Sequence, residues 1–94
     1  MVNKNIIIES CVENVAEAIF AEQEGAHQLE VCGDLEHDGL TPNDDILLDI
    51  INTVRIPCTV MIRSRTGDFY YSQAELARML ADIQRIKAYR LDGF

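Results

Sequence analysis

The chain has 94 residues, 48% hydrophobic and 26% charged, the profile of one small folded domain and not of a disordered segment. A formal net charge of −8, from 16 acidic and 8 basic side chains, repels phosphate and argues against nucleic acid or an anionic membrane as partner. No apolar run nears the ~20 residues of a membrane span. No aliphatic run is longer than Ile6-Ile7-Ile8, which Met1 to Asn5 enter without signal-peptide features, so a cytoplasmic setting is expected.

The first element is a β-branched run, Ile6 to Cys11, which predicts a strand. Ser10-Cys11-Val12-Glu13 has the spacing of a capping box and predicts a helix start there. Val12, Val15, Ala16, Ile19 and Phe20 follow at helical spacing, and Gly25 supplies the left-handed stop. Gln28 to Cys32 reads as a second strand and Gly33 to Leu40 as a polar loop. Thr41-Pro42 predicts an N-cap followed by proline at the first helical position, with Asp44 and Asp45 favoured by the dipole in the first turn. Ile46, Leu47, Ile50, Ile51 and Val54 form the apolar stripe of this second helix. Pro57 holds Ile56 extended and opens a third strand, Cys58 to Arg63. After the loop Ser64 to Tyr71, Ser72-Gln73-Ala74-Glu75 makes another capping box. Leu76, Met79, Leu80, Ile83 and Ile86 then mark a third helix, and Leu91 to Phe94 reads as the opening of a fourth strand.

Strand–helix alternation without hairpin signals predicts an α/β fold with a parallel sheet and right-handed crossovers. Period-two alternation places Ile6, Ile8, Leu29, Val31, Val60 and Ile62 beneath the helices. The other face receives Ile7, Glu9, Cys11, Glu30, Cys32, Thr59, Met61 and Arg63. A doubly wound sheet would be apolar on both faces. A face bearing Glu, Cys and Arg fits the interior of a TIM-type (βα)8 barrel, with the cysteines at the carboxyl end of their strands, where such barrels carry their sites.

Three cysteines, Cys11, Cys32 and Cys58, are too few and of the wrong parity for a disulfide framework and are read as thiols. Cys11 and Cys32 end adjacent strands in equivalent positions. Two thiolates with few other donors favour Cu(I), or Zn(II) if a histidine or carboxylate joins, with His37 a further ligand candidate in the following loop. Cys58 falls on the helix-facing side and is read as packing. Arg63 beside Glu9 and Glu30 predicts a buried ionic layer. Its functional alternative is an enzyme site for a small anionic metabolite, with Arg63, Arg65 and Asp68 as the ligand pocket and Glu9 or Glu30 as catalytic base. Phe69, Tyr70 and Tyr71 would stack on a ligand or cover the barrel mouth.

The segments "IIIESC", "LEVCGDLEHDGLTPN" (Leu29 to Asn43) and "IPCTVMIRSRTGDFYYS" (Ile56 to Ser72) resemble the CutC family of copper homeostasis proteins. The resemblance covers essentially the whole chain, and its irregular loops are not products of generic barrel patterning. It implies a TIM-type barrel, a cytoplasmic role in copper handling, and Cys11 and Cys32 as the cysteines offered to copper. The family pattern has Pro at Ser64, a second Gly at Asp38 and Ser at Asn43. A complete barrel has eight βα units, whereas this chain supplies three and the start of a fourth. Residues 1–94 are then expected to be the N-terminal part of a single barrel domain. Such a fragment, with open edges, is expected to self-associate or to be partly molten, and a truncated chain lacking a complete site is the third functional reading.

Overall fold

The computed structural model describes residues 6–94; the lead of Met1 to Asn5 into the first strand lies outside the described residues. Three parallel strands, β1 (Glu9–Val12), β2 (Gln28–Val31) and β3 (Cys58–Val60), form a sheet in chain order. Helices α1 (Val15–Gln23), α2 (Asp44–Thr53) and α3 (Gln73–Ile86) follow the strands in turn, and a 3-10 turn, Leu35–His37, lies between β2 and α2. The chain thus repeats a strand–helix unit three times. Gly93 then bridges Thr59 in the parallel sense, with Val60 N donating to Gly93 O at 3.1 Å, so the segment from Leu91 adds to the free side of β3.

Register explains which residues form the core. Ser10 faces Leu29 and Val12 faces Val31; Leu29 in turn faces Cys58 and Val31 faces Val60. Side chains opposite one another in register share a face, so Val12, Leu29, Val31, Cys58 and Val60 meet the helices. They are buried together with Ala18, Leu47, Ile50, Ile51, Val54 and Ile86. The α2 stripe predicted from spacing is buried except for Ile46.

The first strand begins later than expected. Ile6, Ile7 and Ile8 precede β1 and are more than half exposed, so Ile6 and Ile8 are not sealed beneath the helices. Pairing with β2 starts only where that strand starts: Ile8 O accepts from His27 N and Gln28 N, and Ile8 N donates to His27 Nδ1 at 2.8 Å. Extension of β1 through Val12 moves the helix start four residues on. Asn14, not Ser10, caps α1, accepting from Glu17 N at 2.8 Å, while Glu13 N donates to Glu17 Oε1 at 2.8 Å. Gly25, at φ 99°, ends the helix as predicted.

Thr41 is likewise not a cap. Asn43 caps α2 by accepting from Asp45 N at 2.8 Å. The Thr41 hydroxyl clasps the end of the third unit, donating to Arg63 O at 3.2 Å and accepting from Arg63 N at 2.8 Å. The Ser72/Glu75 capping box of α3 is formed in both directions. Of the predicted α3 stripe only Ile86 is buried, and Leu76 and Leu80 stand exposed. The helix is fastened at its C-terminal end, where Arg85 and Tyr89 reach Asp44 in the first turn of α2. No helix among the described residues is long and apolar enough to cross a membrane.

Candidate metal centre

The sheet face turned away from the helices carries Glu9 and Cys11 on β1, Gln28 and Glu30 on β2, and Cys32 just beyond β2. In register, Cys11 lies directly opposite Glu30, and Cys32 follows Glu30 by two residues on the same side. One ligand atom from each of Cys11, Glu30 and Cys32 lies within 4.8 Å of the others. Glu30 Oε1 sits between the sulfurs, accepting from Cys32 Sγ at 3.4 Å and from Cys11 Sγ at 3.7 Å. The two thiols differ in access: Cys11 is exposed and Cys32 is fully buried, so the group opens to solvent on the Cys11 side.

This environment keeps both sulfurs protonated. Burial pushes the Cys32 thiol far above its ordinary range, and hydrogen bonding to Glu30 and the Glu30 charge act the same way. The Cys11 thiol is raised more mildly, by burial and then by the Glu30 charge and hydrogen bond. A metal ion entering here must displace thiol protons, and Oε1 of Glu30 is the acceptor already aligned to receive them. The donor set fits a soft ion: two sulfurs at adjacent strand ends with a single carboxylate between them.

The other candidates are distributed differently. His37 leaves the sulfur group. The 3-10 turn sets its Nδ1 2.9 Å from Asp34 Oδ1 on the surface, where Asp34, Glu36 and His37 form a separate exposed group. The expected ionic layer of Arg63 with Glu9 and Glu30 is not formed. Glu9 accepts from Gln28 Nε2 at 2.7 Å, and Glu30 is engaged by the thiols. Arg63 is buried, yet its guanidinium donates to two loop carbonyls, Gly39 O at 3.3 Å and Gly67 O at 2.8 Å, and lies 5.1 Å over the Phe69 ring. Loop carbonyls reach the guanidinium because Gly39 and Gly67 both turn at positive φ, 94° and 100°.

Arg65 is consumed by its own loop. It pairs with Glu75 through Nε, with Asp68 Oδ1 at 3.1 Å and with the carbonyl oxygens of Thr66, Asp68 and Tyr70, and it stacks over Tyr71 at 5.1 Å. Asp68 also accepts from Tyr70 N at 3.0 Å. These bonds shape the loop and engage every N–H of the Arg65 guanidinium, while among the described residues the Asp68 carboxylate accepts only through Oδ1. Cys58 lies in the core as predicted from its side of the strand, its thiol pushed up to about 11 by burial and then by the Asp92 charge.

Sequence patterning missed the bridging role of Glu30. Its signal was the spacing Glu-x-Cys, which fixes Glu30 and Cys32 on one face; the register that sets Glu30 opposite Cys11 is a tertiary property.

Parallel strands each followed by a helix define the class of protein, an α/β strand–helix repeat, with Cys11, Glu30 and Cys32 grouped at the carboxyl ends of its first two strands. Residues 6–94 match the model of the CutC family, and the chain belongs to that family. It is 44% identical over 87 residues to the copper homeostasis protein cutC homolog of Homo sapiens, covering 93% of this chain and 32% of that protein. It is 40% identical over 86 residues to a CutC family protein of Histophilus somni, covering 92% and 35%. The crystal structure of CutC from Streptococcus agalactiae superposes with a TM-score of 0.84 at 28% identity, covering 94% of this chain and 44% of that one. The chain therefore spans about a third of the length of the curated relatives it matches.

Proposed function

We propose that this chain takes part in copper handling by binding Cu(I) through the thiolates of Cys11 and Cys32, within what is part of a (βα) barrel. The observation that carries the reading is the convergence of both sulfurs and Glu30 Oε1 within 4.8 Å. The names of the relatives supply the metal, since several are called copper homeostasis proteins. Copper is cargo here. Cys11, on the open side, meets the ion first; the buried Cys32 completes the pair; Glu30 takes up the proton that leaves each sulfur and passes it to solvent on the Cys11 side. Bound ion is then screened from water by the buried sulfur and by the loop from Gly33 to Leu40, whose ends are joined by an antiparallel bridge. A cytoplasmic setting suits the reading, because it keeps both thiols reduced.

The test is Cu(I) uptake measured by competition with a chromophoric chelator. Wild-type chain is expected to take up Cu(I) with affinity that rises with pH, as thiol protons become easier to displace. The Cys11→Ser/Cys32→Ser double variant is expected to lose that uptake. Unchanged stoichiometry in the variant would remove the reading.

A further inference from the structure

A third sulfur, that of Met61, follows the neighbouring strand β3. β3 pairs with β2 as Glu30 opposite Thr59 and Val31 opposite Val60. The bond from Met61 N to Val31 O, at 3.0 Å, carries this alignment one residue beyond the strand. Met61 is therefore to Cys32 what Thr59 is to Glu30: its neighbour across the sheet, on the same face. The side chain is half-buried, and its sulfur is held against the loop that follows Cys32. A β-carbon on Gly39 would lie 2.7 Å from Met61 Sδ, so the glycine leaves the space that the thioether fills. That loop is drawn back to the end of β2 by the exchange of main-chain bonds between Gly33 and Leu40, at 2.8 and 2.6 Å, immediately after Cys32.

We propose that Met61 is the third sulfur donor of the site, completing a Cys11–Cys32–Met61 set specific for Cu(I). The inference rests on the thiol-pair reading given above and adds to it the ligand that selects the ion. A thioether is soft and favours Cu(I) over Zn(II). It is also neutral. Two thiolates already give a singly charged cation a net negative site next to the Glu30 carboxylate, so a third anionic ligand would be repelled where a neutral one is not. Methionine has an unbranched chain with several rotatable bonds, which lets Sδ leave its resting place at Gly39 for an ion held by the cysteines.

The experiment compares the full chain with Met61→Leu, which keeps apolar bulk and removes the sulfur. Cu(I) and Zn(II) affinities are measured by chelator competition, and the sulfur neighbours of bound copper by X-ray absorption. Met61→Leu is expected to bind Cu(I) at least about tenfold more weakly, since even the loss of an outer-shell partner costs about that much. One sulfur neighbour should disappear, and Zn(II) binding should not change. Selenomethionine labelling of the otherwise unaltered chain covers the case of a variant that does not fold: absorption at the selenium edge should show a copper neighbour at bonding distance. Wild-type Cu(I) affinity and sulfur count in Met61→Leu, or no copper near selenium, while uptake still depends on Cys11 and Cys32, overturns the role of Met61 alone. Uptake that survives loss of both cysteines overturns the pair and the third ligand together.

Discussion

Burial first, and Glu30 after it, set the resting state of the site. The Glu30 carboxylate accepts from both Cys11 and Cys32, and its charge adds to burial in raising both thiols. Glu30→Gln removes the charge while keeping the shape, so it is expected to make both thiols more acidic. The check is alkylation of Cys11 at neutral pH, which proceeds through the thiolate and should run faster in Glu30→Gln than in wild type. An unchanged rate would mean that burial alone sets the acidity of Cys11. Much of this site was legible at the level of single residues. Alternation along two strands is enough to put Glu30, Cys11 and Cys32 on one face. What alternation cannot supply is the offset between strands, and that offset turned Glu30 from a partner of Arg63 into a bridge between sulfurs. Arg63 itself was read as needing a carboxylate because it is an inward-facing cation. The backbone carbonyls that receive its two terminal nitrogens come from loops whose course depends on the two glycine turns, and its Nε is buried without a partner among the described residues.

Among the elements, α3 stands apart. Its buried contribution comes from Ile86 at the last turn, and its fastening is the Asp44 carboxylate, which receives Arg85 Nε at 2.9 Å, Arg85 Nη2 at 3.1 Å and Tyr89 OH at 2.8 Å. A two-pronged guanidinium–carboxylate pair is directional as well as attractive. Asp44→Ala is expected to free this helix: amide exchange in α3 should accelerate while that of α1 changes little. Hydrogen bonds from Arg85 and then Tyr89 hold the Asp44 carboxyl below its ordinary value of 3.8. A carboxyl whose folded value is depressed contributes its stabilisation above the ordinary value and loses it as the pH falls further. Acid should therefore loosen α3 in the wild type just as the substitution does at neutral pH. All three helices were legible from periodicity. Their first turns were less so, because Ser10 and Thr41 have cap chemistry but are needed elsewhere: Ser10 in the pairing of β1 with β2, Thr41 in the clasp on Arg63. The late start of β1 has a similar cause, since isoleucines make a strand only where a neighbour offers its backbone.

Across the whole molecule, apolar surface is exposed on both sides of the sheet as well as on the loop of Phe69 and Tyr70. Beside β1, Ile8, Val12, Ala16, Phe20, Ala21 and Ala26 line a groove, and Phe20 is 64% exposed. On the opposite side Leu76, Leu80 and Phe94 are exposed. Uncovered faces of this kind bind other apolar surface, so the chain is expected to self-associate despite its charge of −8. Sedimentation over a range of micromolar concentrations measures this, and a monomer mass at every concentration would refute it. Phe20→Glu, on the exposed side of α1, should shift the distribution toward monomer. The same arrangement explains why spacing foretold the α3 stripe but not its exposure: periodicity reports that a face is apolar and is silent about what covers it. The guanidinium of Arg63 holds Gly39 and Gly67, so a single buried cation ties the crossing after the second strand to the crossing after the third. Neither crossing can shift at its glycine turn without tugging the other through that one side chain.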